Sequence, residues 1–500
     1  MLSLDQVSDV DGDGVTRTTT DAEILAMLLD EPATPRRHWL PVVAVVLVLL
    51  AAAGVVYGVL VRDTGPPHPD SWDSRVAPLA EAVAKERGLD FEYPVYVDFL
   101  EEEEFTEKVT ADDEDLTDED RAEIEQATGL LRAVGLLEGE LDLFDTANKL
   151  RGAGIVGYYS PEDERIRIRG TEMTPAVRST LVHELTHVLQ DQHFDLEAKT
   201  AKAEDDSAAS NALDALIEGD ARRIEKEWRD GLSEEERTEV EEDLEARSDG
   251  YDEEAAEIEI PEVLTTMMSS PYSLGEALLA VAVQEGGDRA VDALFERPPT
   301  TEEHALDPWT LVQDHAVAID VDEPDLAEGE ESFDDGPFGA VMWLLVLAER
   351  IPVKEALTAA DGWGGDAYVA FEREGTACVR IDYRGDTRQD VGQMKRALGT
   401  WVRRLPTAQA SVRRTGTLLR FESCDPGPKA AAVATESSQE AVTLALSRTY
   451  LSLNLSKSGL ETPLARCAAD RLVREFTLEE LNDPSIDRER VQAVMAPCRE

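Results

Sequence analysis

Residues 183–187 read His-Glu-Leu-Thr-His, an H-E-x-x-H pentapeptide. On a helix, positions i and i+4 share one face, so His183 and His187 can both reach one metal ion. Zinc is the expected ion, and Glu184 stands where a general base would take a proton from a water that the metal has acidified. Leu181-Val182 before the pentapeptide and Val188-Leu189 after it are apolar and free of proline. They predict a helix over Val177–His193, with Thr174-Pro175 as its start.

A catalytic zinc takes three protein ligands and keeps one position open. Candidates for the third are His193, Glu197, Glu218, His304 and His315. His193 lies six residues beyond His187, as the metzincin pattern asks, but Gln190 stands where that pattern has a helix-breaking glycine. Without that turn His193 stays farther along the same helix. Glu218 fits better. It lies 31 residues past His187, in the run ALIEGDA of a second helix predicted over Asn211–Asp230. Gly219 permits close helix approach. The apolar flank of Leu213, Leu216 and Ile217 argues for partial burial, and a buried acid wants a metal or a partner. Asp191, one turn after His187, is the expected outer partner of the ligand set. Hydrolysis also needs a donor for the developing oxyanion, for which Tyr272 and His304 are the candidates.

Several elements must position these groups. Residues 155–170 alternate apolar and polar on both sides of the turn PEDE, which predicts a hairpin just upstream of the helix. Its edge strand would receive a substrate backbone by strand addition. Helices are expected near Val76–Arg87, Leu274–Ala282 and Phe338–Leu347, and residues 231–259 read as acidic and helical or loose. Residues 101–125 carry 14 acids, as a solvated helical face with a loop does. Beyond Trp363 the pattern suggests β-β-α-β, with its helix over Asp390–Leu405, then a linker at Pro426–Ala434 and a helical end.

Composition bounds the rest. Acidic residues number 106 against 48 basic ones, a net charge of −58, which repels phosphate backbones and makes nucleic acid a poor partner. Trp39–Val61 is a run of 23 residues without a charge, long enough to cross a bilayer as a helix. Arg36 and Arg37 before it place residues 1–38 inside and the remainder outside the cell, as a single-pass protein with the lipid bilayer as a partner. Asp9, Asp11, Asp13 and Gly14 match half of an EF-hand loop, but Thr20 stands at its twelfth position, so a solvated acidic tail is expected. Outside the cell, Cys378, Cys424, Cys467 and Cys498 would form two disulfides. Their positions in the expected elements favour Cys378–Cys424 and Cys467–Cys498 among the three possible connectivities.

HELTHVLQDQHFDL followed by ALIEGDA resembles a family of neutral zinc metallopeptidases of the gluzincin type, common in actinobacteria. PYSLGEALL at 271–279, GGDRAVDALFERPPTTEEHALDP at 286–308 and GWGGD at 362–366 extend the resemblance over roughly residues 150–370. It implies an α+β, zincin-like fold: a small twisted sheet over an active-site helix and a second ligand helix. It implies His183, His187 and Glu218 as zinc ligands and Glu184 as the base. The chain departs from thermolysin-type relatives at Arg222, where they place an Asp, and at 305–308, where the family reads more like L-H-P.

The expected organisation is an acidic tail at 1–38, a membrane helix at 39–61, a stalk at 62–76 and a zincin-like domain at 77–365. A β-β-α-β unit at 366–429 and a helical, disulfide-bonded module at 430–500 follow. The expected activity is zinc-dependent hydrolysis of peptide bonds in a peptide or protein substrate. The alternative is an inactive zincin-fold protein that binds a partner at the cell envelope.

Overall fold

The computed structural model describes residues 66–499 apart from 112–115, 204–205, 259, 406–408, 431–436, 482 and 484–485. It also describes two short strands, Val7–Val10 and Thr16–Thr19, which pair antiparallel. Asp11, Asp13 and Gly14 of the half EF-hand lie outside the described residues.

One correction to the expected fold and location follows at once. No helix among the described residues is long and apolar enough to cross a membrane. The long helices there mix apolar positions with polar and charged ones, as packing against a protein core requires. The span expected at 39–61 lies outside the described residues. The single N-terminal membrane helix, and the cell-membrane localisation that rested on it, therefore find no support.

The described chain is α+β. Its first sheet has three strands, β1 (Tyr96–Leu100), β2 (Gly157–Ser160) and β3 (Arg165–Arg169), in the order β1-β3-β2. β1 runs parallel to the central β3, and β2 forms the antiparallel edge. The alternation in β3 explains its place: Ile166 and Ile168 point into the core, while Arg165 and Arg167 pair with Asp98 and Asp163 outside. Against this core lie α1 (Ala77–Arg87) and α2 (Pro175–Phe194). The Thr174 hydroxyl caps the start of α2 by accepting the Val177 N–H at 3.3 Å, and Pro175 takes the first turn, where no donor is lost.

Two long helices complete the region of the pentapeptide, α3 (Ser207–Asp230) and α4 (Glu262–Gly286). They cross at Gly219 and Gly275 with backbones in contact. A Cβ at Gly275 would stand 1.9 Å from the Ala215 carbonyl oxygen, and one at Gly219 would stand 2.3 Å from the Gly275 carbonyl carbon. Pro271 inside α4 leaves the Met267 carbonyl without its helical donor, and the Ser270 hydroxyl supplies one at 3.0 Å.

The second sheet is antiparallel throughout, in the order β4-β5-β6-β8-β7. Its strands are β4 (Glu330–Gly336), β5 (Trp363–Arg373), β6 (Thr376–Gly385), β7 (Ala410–Thr415) and β8 (Leu418–Cys424). It is larger than the expected β-β-α-β: β4 joins from far upstream, and the last strand is a hairpin of two. Three helices pack on it, α5 (Ala340–Ala348), α6 (Val353–Ala360) and α7 (Arg388–Arg403), around Trp343, Tyr383, Trp401 and Phe421. Asp366 of the GWGGD segment is an internal staple: it accepts from the Trp343 and Trp363 indoles at 2.6 and 2.8 Å and from the Phe338 N–H at 2.9 Å. Cys378 and Cys424 face each other across β6 and β8 as a disulfide. At the end, α8 (Ser438–Lys457), α9 (Thr462–Glu475) and α10 (Arg488–Met495) form a small helical cluster closed by the Cys467–Cys498 disulfide. Both expected pairings are present.

The glycine crossing yields a prediction. Gly275→Ala is expected to cost about 1–3 kcal/mol, because the methyl group must push α3 and α4 apart. An unchanged midpoint in urea denaturation would contradict the close crossing.

Candidate functional site

Helices α2 and α3 bring His183, His187 and Glu218 together. The His183 Nε2 lies 3.1 Å and the His187 Nε2 3.6 Å from Glu218 Oε2. One ligand atom from each of the three residues falls within 4.8 Å of the other two. A tetrahedral ion with bonds of about 2.0–2.1 Å holds its ligand atoms about 3.3 Å apart, so this set fits a divalent metal with little movement. Two imidazole nitrogens and one carboxylate oxygen also leave a fourth position open.

The outer contacts differ from the expected ones. His187 Nδ1 meets Gln190 Oε1 at 2.9 Å, and the Gln190 amide donates to the Ile217 carbonyl at 3.0 Å. Gln190 thus orients the imidazole, which presents Nε2 to the metal position, and ties α2 to α3 beside Glu218. His183 Nδ1 lies 3.6 Å from Glu225 Oε2. Glu225 is itself held by the Ser179 hydroxyl at 2.6 Å and by Arg222. Asp191, expected in this role, does neither job. It accepts the Tyr159 hydroxyl at 2.8 Å and the Leu196 N–H at 2.9 Å, which places it between the edge strand and the end of α2. Sequence reasoning missed Gln190 and Glu225. The signal was spacing: Gln190 follows His187 by three residues, and Glu225 follows Glu218 by seven, on the same helix faces.

Glu184 points toward the edge strand, where its carboxylate accepts the Tyr159 N–H at 2.8 Å. Burial pushes the Glu184 carboxyl above its ordinary range. Burial works against charge on His183 too, but the Glu218 and Glu225 carboxylates outweigh it and raise the imidazole to about 10. Burial works against charge on the partly exposed Glu218 as well, yet the two histidines hold it well below the usual carboxylate range. Metal uptake therefore has to displace protons from the imidazoles.

Tyr272 of α4 stacks beside His183 with ring centroids 6.2 Å apart, and burial keeps its hydroxyl protonated far above the ordinary range. The other candidates are elsewhere. His304 is buried in the short helix Glu303–Leu306 and bonds to the Thr310 hydroxyl at 3.1 Å. Burial lowers it to about 4. His193 is exposed and bonds to the Asp90 carbonyl at 2.8 Å. Glu197 and His315 are exposed as well.

A buried ionic network supports the site from below. Arg87 of α1 donates to Asp220 at 2.8 Å, and Arg223 reaches the same carboxylate at 2.9 Å. Asp220 is fully buried two residues after Glu218, so the network fixes α3 where it carries that acid.

Residues 327–453 match the family described as Domain of unknown function (DUF8575). That span begins just before β4 and ends within α8, so it covers the antiparallel sheet and its helices and leaves out residues 183–225. No curated protein and no solved structure matches the chain.

The outer contacts can be tested. Glu225→Gln is expected to weaken metal binding by about 10–100-fold, and Asp191→Asn to leave it unchanged, measured by competition with a chelator. The reverse order of effects would restore Asp191 as the outer partner.

Proposed function

We propose that this protein is a zinc-dependent metallopeptidase of the gluzincin type. The observation that supports it is the convergence of His183, His187 and Glu218 around one point, with the Glu184 carboxylate beside them. Zinc suits this donor set: borderline-soft, redox-inert and content with two imidazoles, a carboxylate and an open position. When bound, the ion supplies Lewis acidity, which polarises a scissile carbonyl and lowers the pKa of water.

The residues of the chain then have separate tasks. Glu184 takes the proton of the attacking water and passes it to the leaving amine. The Tyr159 N–H aims its carboxylate, and burial brings its pKa upward toward the working range of a general base. Strand β2 is the open edge of its sheet and lies next to α2, so an extended peptide can add to it through backbone hydrogen bonds. The Tyr272 hydroxyl, kept neutral by burial, is the donor available for the oxyanion. Nothing in the surroundings of His304 gives it a part in the reaction.

Glu184→Gln tests the reading. Hydrolysis of internally quenched peptides by the full chain is expected to fall by about 10²–10⁴-fold while bound metal stays at the wild-type level. A chelator is expected to abolish activity and added zinc to restore it. Full activity in the glutamine variant would remove Glu184 from the chemistry. No hydrolysis by zinc-loaded wild type on a broad peptide library would favour the non-catalytic binding protein.

A further inference from the structure

We propose that Tyr159 is a positioning residue of this site: the bond from its hydroxyl to Asp191 holds the edge strand against α2, so that its own backbone N–H keeps the Glu184 carboxylate aimed. The proposal rests on the peptidase reading above, and it gives Asp191 a task away from the metal. Tyr159 is bonded to α2 twice. Its N–H donates to Glu184 at 2.8 Å, and its hydroxyl donates to Asp191 at 2.8 Å. The two acids lie two turns apart on one face of the helix, about 10 Å along its axis. One residue of β2 thus spans the part of α2 that carries His187.

Strand register explains why this donor is free for Glu184. The Arg169 N–H donates to the Val156 carbonyl at 2.8 Å, so the backbone groups of alternate residues, Tyr158 and Ser160, turn toward β3. Those of Gly157 and Tyr159 turn to the open side, where Glu184 takes the Tyr159 N–H. β2 is a short edge strand with a strand partner on one side only. Gly157 sets how near it comes to the helix: a Cβ there would stand 2.9 Å from Thr180 Cγ2 and 2.6 Å from Ile168 Cδ1. Thr180 lies one turn before Glu184 on the same face of α2. Contact at Gly157 stops the strand from moving closer, and the Tyr159–Asp191 bond stops it from moving away. Asp191 is itself fixed, since its other oxygen accepts the Leu196 N–H at 2.9 Å. Beside it, Gln192 accepts the Glu92 N–H at 2.8 Å and donates to the Tyr93 carbonyl at 2.9 Å, and the Tyr93 hydroxyl bonds to Glu164 in the turn between β2 and β3. The end of α2 therefore grips the hairpin at its strand and at its turn. A base shifted by about 1 Å loses about 10²-fold in rate even where the metal site is intact.

Tyr159→Phe tests this, because it removes the hydroxyl and keeps the ring and the N–H. With the zinc-loaded full chain and internally quenched peptides, kcat is expected to fall by about 10–100-fold, with KM within about threefold of wild type and zinc content equal. Asp191→Ala is expected to act in the same direction, and the double variant to be no slower than Asp191→Ala alone, because both remove one bond. Asp191→Asn, whose amide can donate to the phenol oxygen, is expected to retain most of the rate. Amide hydrogen exchange read by mass spectrometry reports on the clamp without turnover. In Tyr159→Phe the β2 segment is expected to exchange about tenfold faster, while α2 around His183 stays as protected as in wild type. Unchanged kcat, a change confined to KM, a parallel loss of zinc, or unchanged exchange in β2 would each overturn the proposal. A wild type that hydrolyses no peptide would sink the peptidase reading instead, and the exchange measurement would still decide whether Tyr159 and Asp191 hold the strand that aims Glu184.

Discussion

The site depends on the crossing of α3 and α4 at Gly219 and Gly275, where the two backbones touch. Side chains larger than hydrogen at those positions would hold the helices apart by the width of a methyl group or more. The crossing fixes Glu218 immediately before Gly219, facing the histidines of α2. It also fixes Tyr272 three residues before Gly275, beside His183. Close packing of backbone on backbone leaves no slack, so the spacing of α3 and α4 is set by van der Waals contact. The buried Arg87–Asp220–Arg223 network holds the other side of α3. Removing one member of such a network leaves an uncompensated buried charge, which is why it positions the helix firmly even though burying it costs free energy.

The antiparallel sheet is joined to the site through one acid. Glu302 accepts the Val341 and Met342 N–H groups at 3.0 and 3.3 Å, and so caps α5. Its other oxygen takes the Asn211 amide of α3. Burial pushes Glu302 up to about 7 despite these donors. The start of a helix that packs on the second sheet is thus fastened to the helix that carries Glu218. The family match confined to 327–453 and the cluster of His183, His187 and Glu218 outside it are two parts of one packed structure.

Much of this arrangement was legible in the sequence because it follows from local periodicity. The i, i+4 histidines, the alternating RIRIR of β3 and the capping Thr174-Pro175 are each short-range patterns, and the structure realises them; Glu218 was legible from the apolar flank and glycine around it on its own helix. The two disulfides followed from placing their cysteines in neighbouring elements. What depends on long-range packing was not legible. Asp191 reads as a neighbour of His187, but the turn of the helix points it to Tyr159 instead. Glu225 shares a helix face with Glu218 by its spacing, but its contact with His183, 42 residues away, comes from a helix crossing that periodicity does not describe. The pairing of β4 with β5 joins strands separated by two helices, and nothing in the acidic run Glu330–Gly336 announces a strand. The run at 39–61 was read as a span from its length, its lack of charge and the arginines before it; it lies outside the described residues, among which no helix is long and apolar enough to cross a membrane.

The central claim is that His183, His187 and Glu218 together hold one zinc ion. Metal content of the purified full chain tests it most directly, beside His183→Ala and Glu218→Ala forms shown to be folded. The account predicts one zinc per wild-type chain and loss of tight binding in both variants. Zinc retained by the Glu218 variant would place the third ligand elsewhere, and a well-folded wild type that binds no metal tightly would contradict the account.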